Sequence, residues 1–308
     1  MWFKNLHIYR FLRPWALSPT DLEKHLKKSV FSPCGRMEME SHGWVSPFGR
    51  DSEVFVHAVH RCFMITLRKE EKILPASVVR DFVMEKIEDI ETQQMRKVRK
   101  REKEDIREDV LKELIPRAFT RSTYQYAYID AAHHWLLIDT ANRKKAEEFI
   151  SVLRQTLGSL PVVPPKVQEY PAQIMTHWLT QEQCPPDFEF ADACELVDTS
   201  LEGAIVNCKR QDLLSEEIQA HLEAGKLVAR LALKWNDRIG FVIDDDLIIR
   251  RLQFLDIVQS QAHEVEAETS EQRFDADFAI MTGEVAALVK RLFELFGGED
   301  EQAYKQMR

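Results

Sequence analysis

Apolar residues alternate with polar ones in several short stretches of the chain, which is typical of strands that bury one face. The first such stretch, WFKNLHIYRF, lies at residues 2–11. Others follow in neighbouring groups: EVFVHAV and CFMITLRKE, then TYQYAYID and HHWLLIDT, then LVARLALKW, RIGFVID and LIIRRLQFL. Because these segments form hairpin-like runs and do not alternate strictly with helices, the pattern predicts an α+β fold with antiparallel sheets.

Four shorter helices are predicted from apolar residues at helical spacing and from cap residues. One begins near Asp21, a second follows Asn142, a third follows Ser215, and the last runs from about Ala276 to Phe296. Asn and Ser are both favoured at the position before a helix, where their side chains accept from free backbone N–H groups.

The longest helical stretch lies between Pro75 and Pro116, because proline is accepted in the first turn of a helix but not in its interior. Its first half carries an apolar stripe that predicts a face packed on a core: Val78, Phe82, Val83, Ile87 and Ile90. The second half lacks this stripe, so we expect that end to project from the body of the protein. One straight helix would span about 60 Å, and the sequence leaves open whether there are one or two helices.

Charge is distributed unevenly along the chain. Residues 1–180 hold 29 Lys+Arg and 24 Asp+Glu, a net of +5, whereas residues 181–308 hold 13 and 27, a net of −14. Such asymmetry is typical of a protein with one side that faces a polyanion, although it also occurs without any such partner. With the predicted elements it suggests three parts: a central α+β domain (1–74 with 119–180), a projecting helical tip (75–118) and an acidic α+β base domain (181–308).

Length, apolar runs and cysteines limit the class of protein. A chain of 308 residues is long enough to bury a sizeable core, and no apolar run approaches the roughly 18 residues that cross a bilayer. Lys4 and Arg10 interrupt the N-terminal apolar segment, which favours a buried strand over a signal peptide. Five scattered cysteines without a Cys-x-x-Cys motif favour free thiols in a reducing cytoplasm.

The segment QQMRKVRKREKEDIREDV, at residues 93–110, contains seven basic residues although the whole chain has a net charge of −9. On a helical wheel, five of them fall within an arc of about 100°: Arg96, Arg99, Lys100, Lys103 and Arg107. Like charges at i,i+4 cost a helix a few tenths of a kcal/mol, so the shared face indicates an anionic partner. Lys and Arg neutralise phosphates without reading sequence, and no aromatic residue is interleaved for base stacking, so duplex DNA is favoured.

The alternative is a solvated helix with lateral salt bridges, such as Lys100–Glu104 and Arg101–Asp105. A second, smaller basic patch precedes the helix predicted at Ser215, within the acidic half of the chain. It consists of Lys209, Arg210 and Gln211.

Phe119 follows the Pro-terminated helix and lies between Arg117 and Arg121. It is interpreted either as a helix-end residue folded back into its own core or as an exposed apolar anchor that docks on a partner subunit.

Several acidic and histidine-containing groups were considered as metal or catalytic sites. Asp244, Asp245 and Asp246, with Asp275 and Asp277, offer carboxylates for Mg²⁺ in a nuclease, but Asp is also favoured in a hairpin turn between two strands. The groups His57-x-x-His60 with Cys62, and His133-His134, are interpreted as structural, because their spacing does not bring ligands together on a strand. No phosphate-binding glycine loop or nucleophile elbow is present, so no enzyme activity, cofactor or metal is predicted.

Several segments, in order along nearly the whole chain, together resemble the RdgC family of recombination-associated proteins. They are WFKNL, FSPCG, RKEEKILP (68–75), LIPRAF (114–119), LGSLPVVP, QDLLSEEI, EAGK and QRFDADFAIMTGE (272–284). Each of them alone is a weak signal, and the specificity comes from their shared order.

The resemblance implies a nucleoid-associated, cytoplasmic DNA-binding protein of proteobacteria without enzymatic activity. It implies a multi-lobed subunit of a ring-shaped homodimer that encircles double-stranded DNA with little sequence preference and competes with RecA for DNA. The gate phenylalanine of the family corresponds to Phe119, and a functional Lys-Gln pair corresponds to Arg210 and Gln211. Arg in place of Lys departs from the family pattern but keeps the charge.

Two other functions remain open from the sequence. One is a protein that binds RecA directly and not DNA. The other is a metal-dependent nuclease that uses Asp244, Asp246, Asp275 and Asp277.

Overall fold

The computed structural model describes residues 2–49, 52–200, 203–265 and 267–307, and contains helices and antiparallel strands in both parts of the chain. The strands are β1 (His7–Phe11), β2 (Glu40–Val45), β3 (His57–Val59), β4 (Cys62–Ile73), β5 (Phe119–Asp130), β6 (Trp135–Ile138), β7 (Val162–Val163), β8 (Phe188–Val197), β9 (Ile205–Lys209), β10 (Leu227–Trp235), β11 (Ile239–Asp244) and β12 (Ile249–Phe254). The helices are α1 (Pro19–Leu26), α2 (Ala76–Gln94), α3 (Lys100–Leu114), α4 (Arg143–Leu157), α5 (Pro171–Thr180), α6 (Glu216–Glu223), α7 (Asp256–Glu264), α8 (Ser270–Leu295) and α9 (Glu301–Gln306). The α+β prediction with antiparallel sheets is confirmed.

The chain forms two compact units, and the first consists of Met1–Glu23, Val56–Ile65 and Tyr126–Arg308. Its five-stranded sheet has the order β12-β11-β10-β8-β9, with antiparallel neighbours throughout. In the same unit β1 pairs with β6 and β7, and β6 pairs with the end of β5. One apolar core includes residues from these strands and from the buried face of α8, for example Leu231 and Val285.

The second unit consists of Lys24–Phe55 and Thr66–Gln125. Here β2 pairs antiparallel with the second half of β4, and α2 and α3 form a helical hairpin. The strands β4 and β5 each contribute residues to both units. The three-part domain division expected from the sequence stays a prediction.

The long helical stretch is two helices, and its second half does have an apolar side, contrary to the interpretation from the sequence. That this part of the chain projects from the body stays a prediction. The backbone turns at Met95, which has a left-handed conformation with φ of 49°. The second helix has its own apolar side, because Ile106 and Val110 are buried in a small core with Val79 and Val98. Burial of these residues favours a helix folded back on its neighbour over an isolated extension.

The stripe predicted on the first half is only partly correct. Val83, Ile87 and Ile90 pack against the small core of the hairpin, whereas Val78 and Phe82 are exposed. The apolar residues therefore occupy a wider arc than the core covers.

Several local signals in the sequence match the observed elements. The Asn142 side chain accepts a hydrogen bond from the backbone N–H of Lys145, which caps α4. Ser215 occupies the N-cap position of α6, although its hydroxyl does not accept from the helix. The last long helix begins at Ser270, earlier than predicted, because the Thr269 hydroxyl accepts from the backbone N–H of Gln272. In the part of the chain that the structure describes, no helix is long and apolar enough to cross a membrane.

Candidate nucleic-acid interface

The predicted basic residues of this segment are divided between the connection of α2 to α3 and α3 itself, and they do not lie on one continuous helix. Arg96 lies in the connection, and Arg99 occupies the N-cap position of α3 with an extended backbone (φ −81°, ψ 160°). The helical wheel on which the five-residue face was predicted therefore does not apply to Arg96 and Arg99. It still applies to Lys100, Lys103 and Arg107, which lie at i, i+3 and i+7 on one side of α3.

Two basic residues of this connection are held in ion pairs. The Arg96 guanidinium donates to both carboxylate oxygens of Glu102, at 2.8 and 2.6 Å. The Lys97 ammonium lies 2.5 Å from the Glu91 carboxylate, which also accepts from the backbone N–H of Val98. The hydrogen bonds from Arg96 lower the pKa of Glu102 to about 2. These contacts fix the turn, and they occupy charges that the sequence alone counts as available.

The other four predicted cations are exposed and uncommitted. Within the described ranges, no ion pair or hydrogen bond involves the side chains of Arg99, Lys100, Lys103 and Arg107. The lateral pairs Lys100–Glu104 and Arg101–Asp105, expected for a salt-bridged solvent helix, are likewise not formed among these residues. Cations without an ion-pair partner suit a polyanion, because no direct salt bridge has to be broken. Glu91 and Glu102 still lie near enough to Lys103 and Arg99 to interact with them electrostatically.

Phe119 is 85% exposed at the start of β5, in the same unit as the hairpin. It is not folded back into its own core, so the first of the two interpretations given above is wrong. The side chain is large, apolar and exposed, as the interpretation as a docking anchor requires.

Charged side chains of β4 hold the chain on both sides of Phe119. The Lys72 ammonium donates to the carbonyl of Ile115 at 2.8 Å, and Arg121 is ion-paired with Glu71. Further along β5, the Ser122 hydroxyl accepts from Arg68 at 2.9 Å. These supporting groups were not predicted from the sequence. The run RKEEK in β4 was the available signal, since charged residues in succession on a strand need partners.

Arg68 is itself positioned by several neighbours. Its guanidinium carbon lies 4.0 Å from the centre of the Phe31 ring, as in a cation–π contact, and it is ion-paired with Glu70 at 3.4 Å. Glu70 is buried and accepts from the backbone N–H of Cys34 at 2.9 Å, which with other hydrogen bonds holds the pKa of its carboxyl below the usual value. The segment after Phe119 is thus attached to a part of the second unit that is held by several side-chain contacts.

The second basic patch lies in the first unit, at the end of β9. Lys209 is its last strand residue, and Arg210 has a left-handed backbone with φ of 55°. Both side chains are exposed and have no ion pair with any residue whose position is described. The Gln211 amide donates to Glu217 at 2.7 Å, so it is oriented by α6. The structure places this patch and the hairpin cations in different units.

The acidic residues considered for metal binding are paired with basic groups. Asp244 is buried and accepts from Arg250 at 2.8 Å and from the backbone N–H of Ile248 at 2.8 Å. Asp246 pairs with Arg143 at 2.8 Å, in the turn between β11 and β12 that the sequence predicted.

The remaining candidates also have structural partners. Asp275 lies 3.3 Å from His57, and Asp277 also interacts with other residues. His133 and Asp130 form a 2.8 Å contact in the hairpin turn. Across residues 2–49, 52–200, 203–265 and 267–307, no group of three or more His, Cys, Asp or Glu side chains is arranged to hold a metal ion.

Fold and surface together describe an α+β protein with exposed cations that lack ion-pair partners in two places, and with exposed aromatic side chains that include Phe119. The chain belongs to the RdgC family: residues 1–299 match the family model described as "Putative exonuclease, RdgC". This finding confirms the resemblance deduced from the ordered sequence segments.

Proteins of similar sequence carry a different description. The chain is 46% identical over 299 residues to the recombination-associated protein RdgC of Tolumonas auensis, which covers 97% of this chain and 99% of that protein. It is 42% identical to the protein of the same description from Psychromonas ingrahamii and 43% identical to that from Yersinia pestis, with the same coverage.

Proposed function

We propose that this protein takes part in DNA recombination by binding double-stranded DNA through phosphate contacts, with little sequence preference and without catalysis. The observation that carries the proposal is the set of four exposed cations without ion-pair partners at the start of α3. An acidic protein that leaves these cations unpaired attracts a polyanion to this part of its surface. The relatives described as recombination-associated support the biological context.

Lys209, Arg210 and Gln211 form the second DNA contact in this proposal. The side chains of the two cations are exposed. Gln211 donates a hydrogen bond to Glu217, and this contact orients the residue that follows the left-handed backbone of Arg210. Phosphates accept hydrogen bonds from Arg, Lys and Gln side chains alike.

The protein further acts as a ring-shaped homodimer in the nucleoid, with Phe119 as the contact that closes the ring. The support is the 85% exposure of an aromatic side chain whose flanking segments are tied to β4. A ring around DNA limits the access of RecA to the same duplex, because both proteins then compete for one polymer.

The experiment that tests DNA binding is fluorescence anisotropy of two unrelated labelled duplexes, titrated with protein across a salt series. We expect similar affinities for both duplexes and a steep loss with salt, since the logarithmic slope is about 0.9 per neutralised phosphate of B-DNA. The double substitution Lys103→Glu and Arg107→Glu is expected to abolish most binding. Lys112→Glu is the matched control, because Lys112 lies on the same helix but is already paired with Asp109 at 3.2 Å. Absence of binding at low salt overturns the proposal.

Ring closure is tested by sedimentation and DNA affinity of Phe119→Ala. We expect weaker self-association and weaker DNA binding for this variant. Met95→Ala is the control, because Met95 is 93% exposed in the same unit and has no assigned role. Equal behaviour of both variants removes Phe119 from the proposal.

The description of the family model favours a second candidate, an exonuclease. End-labelled linear duplex and closed plasmid, incubated with the protein and Mg²⁺, distinguish the two. Shortening of the labelled strand supports a nuclease, whereas intact DNA together with a binding isotherm supports the non-catalytic proposal.

A direct RecA contact is recognised if RecA inhibition persists when DNA is in large excess.

A further inference from the structure

Cys194 and Cys208 lie directly opposite each other on the neighbouring antiparallel strands β8 and β9. Opposed residues in such a pair point to the same face, with Cα atoms about 4.5–5.5 Å apart. A disulfide requires a Cα separation of about 4.4–6.8 Å. The register of the two strands therefore already places the two residues at a separation that a disulfide can span.

Both cysteines are nearly inaccessible in the reduced protein. They are 4% and 8% exposed and belong to the apolar core of the first unit. Burial raises the pKa of Cys194 to about 12, with a further contribution from Cys208. The thiolate is the reacting form, so oxidation requires transient opening at this place.

The position of β9 provides such an opening. It is the last strand in the order β12-β11-β10-β8-β9, so the described residues pair it on one side only. Edge strands open locally at lower free energy than central strands, because fewer hydrogen bonds and apolar contacts hold them.

We propose that Cys194 and Cys208 are a redox modification site that forms a cross-strand disulfide with a small-molecule disulfide as the oxidant. One cysteine thiolate attacks the small disulfide, which gives a mixed disulfide and releases one thiolate. The second cysteine then attacks the protein sulfur and displaces the other small thiolate. The two protein thiols lose two electrons and two protons, and the small disulfide becomes two thiols.

The covalent link joins the edge strand to β8 immediately before Lys209, the first residue of the second basic patch. It therefore restricts the motion of Lys209, Arg210 and Gln211. That this restriction changes DNA affinity rests on the proposed function, whereas the disulfide itself does not.

The test is incubation of the purified full chain with oxidised glutathione or with reduced glutathione, followed by intact mass and non-reducing peptide mapping. We expect a loss of about 2 Da, one hydrogen from each of two thiols, and a linked peptide pair that contains residues 194 and 208. Cys208→Ala is expected to prevent both, and Cys34→Ala, at a half-exposed free cysteine of the second unit, is expected to prevent neither. Amide exchange of residues 205–209 is expected to slow at least tenfold in the oxidised protein.

An unchanged mass after oxidation, or a link between other cysteines, overturns the proposal. A persistent glutathione adduct on Cys208 without the linked pair also overturns it, since the opposed thiols then fail to react with each other. DNA anisotropy of the oxidised and reduced forms is a separate readout. If the link forms but neither form binds DNA, the proposed function fails while the redox site stands.

Discussion

The helical hairpin of the second unit and the five-stranded sheet of the first unit differ in the size of the core that supports them. The hairpin is closed by a small cluster of four buried residues, Val79, Val98, Ile106 and Val110, whereas the sheet shares an apolar core with α8. Where few apolar side chains are buried, ion pairs contribute more to fixing the position of the chain. The hairpin accordingly uses Arg96 with Glu102 and Lys97 with Glu91 at its turn.

This contrast explains why a count of basic residues overstates the surface that we propose to bind DNA. Exposed ion pairs contribute about 0–1 kcal/mol each, yet they fix where the turn lies. The cations left over, such as Lys103 and Arg107, are those that a polyanion can use without competition.

The largest expected effects come from replacing one buried side chain in each core with alanine. Leu231→Ala removes a fully buried side chain of β10 and is expected to destabilise the first unit by about 3 kcal/mol, as is usual for such cavities. Ile106→Ala is expected to destabilise the hairpin by about 2 kcal/mol. Hydrogen exchange distinguishes the two variants, because each substitution should reduce amide protection only in the unit that contains it. A loss of protection in the sheet for Ile106→Ala would contradict separate cores.

Acid is expected to act on the two regions in different pH windows. Burial, with the charges of Arg143 and Arg250, lowers the pKa of His7 to about 4, against the smaller opposing effect of Asp246. The folded state therefore binds fewer protons than the unfolded state between pH 6.5 and 4, so the first unit loses up to about 3 kcal/mol as pH falls through this range.

The hairpin should respond only at lower pH. Its Glu102 has a pKa lowered to about 2, chiefly by the hydrogen bonds from Arg96, so this contribution is retained above pH 4.5 and lost as pH falls towards 2. Urea unfolding monitored by amide hydrogen exchange at pH 7, 5.5 and 4.5 tests whether the first unit loses stability before the hairpin does as the pH falls. The His7→Phe variant should show a flatter profile in the first unit, and an unchanged slope would remove His7 as its cause.

Paired and unpaired cations are expected to differ in DNA binding. Lys103→Ala should lower the salt slope of binding by about 0.9, the value for one lost phosphate contact. Arg96→Ala should lower it by less than half of this, because its guanidinium is engaged by Glu102. The anisotropy salt series measures both, and an equal effect of the two substitutions would show that the ion pair opens when DNA binds.

The smallest effect is expected at the support of Phe119. Lys72→Met removes the donor to the carbonyls of Ile115 and Arg36 and should loosen residues 115–122 by about 1 kcal/mol, the usual net value of one hydrogen bond. Faster exchange of this segment, with a weaker dimer, is the expected result. In a double variant with Phe119→Ala, the effect of Lys72→Met on dimer affinity should vanish. If it persists, Lys72 acts on self-association by another route.

The elements that the sequence predicted well are those with local chemical signals. Asn142 and Ser215 marked helix starts, and the run of Asp at 244–246 marked a hairpin turn. The break at Met95 had no such signal, since neither Gly nor Pro is present there, and the helical wheel consequently extended across it. Packing of Val98 and Ile106 against α2 decided that break.

The sequence by itself determined the antiparallel α+β class and which residues carry positive charge, because hydrophobic period and cap chemistry act within a few neighbouring residues. It also determined the RdgC family, because the order of short segments along nearly the whole chain is specific. Only the tertiary structure decided that Arg96 is paired while Lys103 is not, that Phe119 is exposed, and that Cys194 faces Cys208. These properties depend on distances between atoms that are remote in the chain or separated by a turn, and such distances are set by how buried side chains pack.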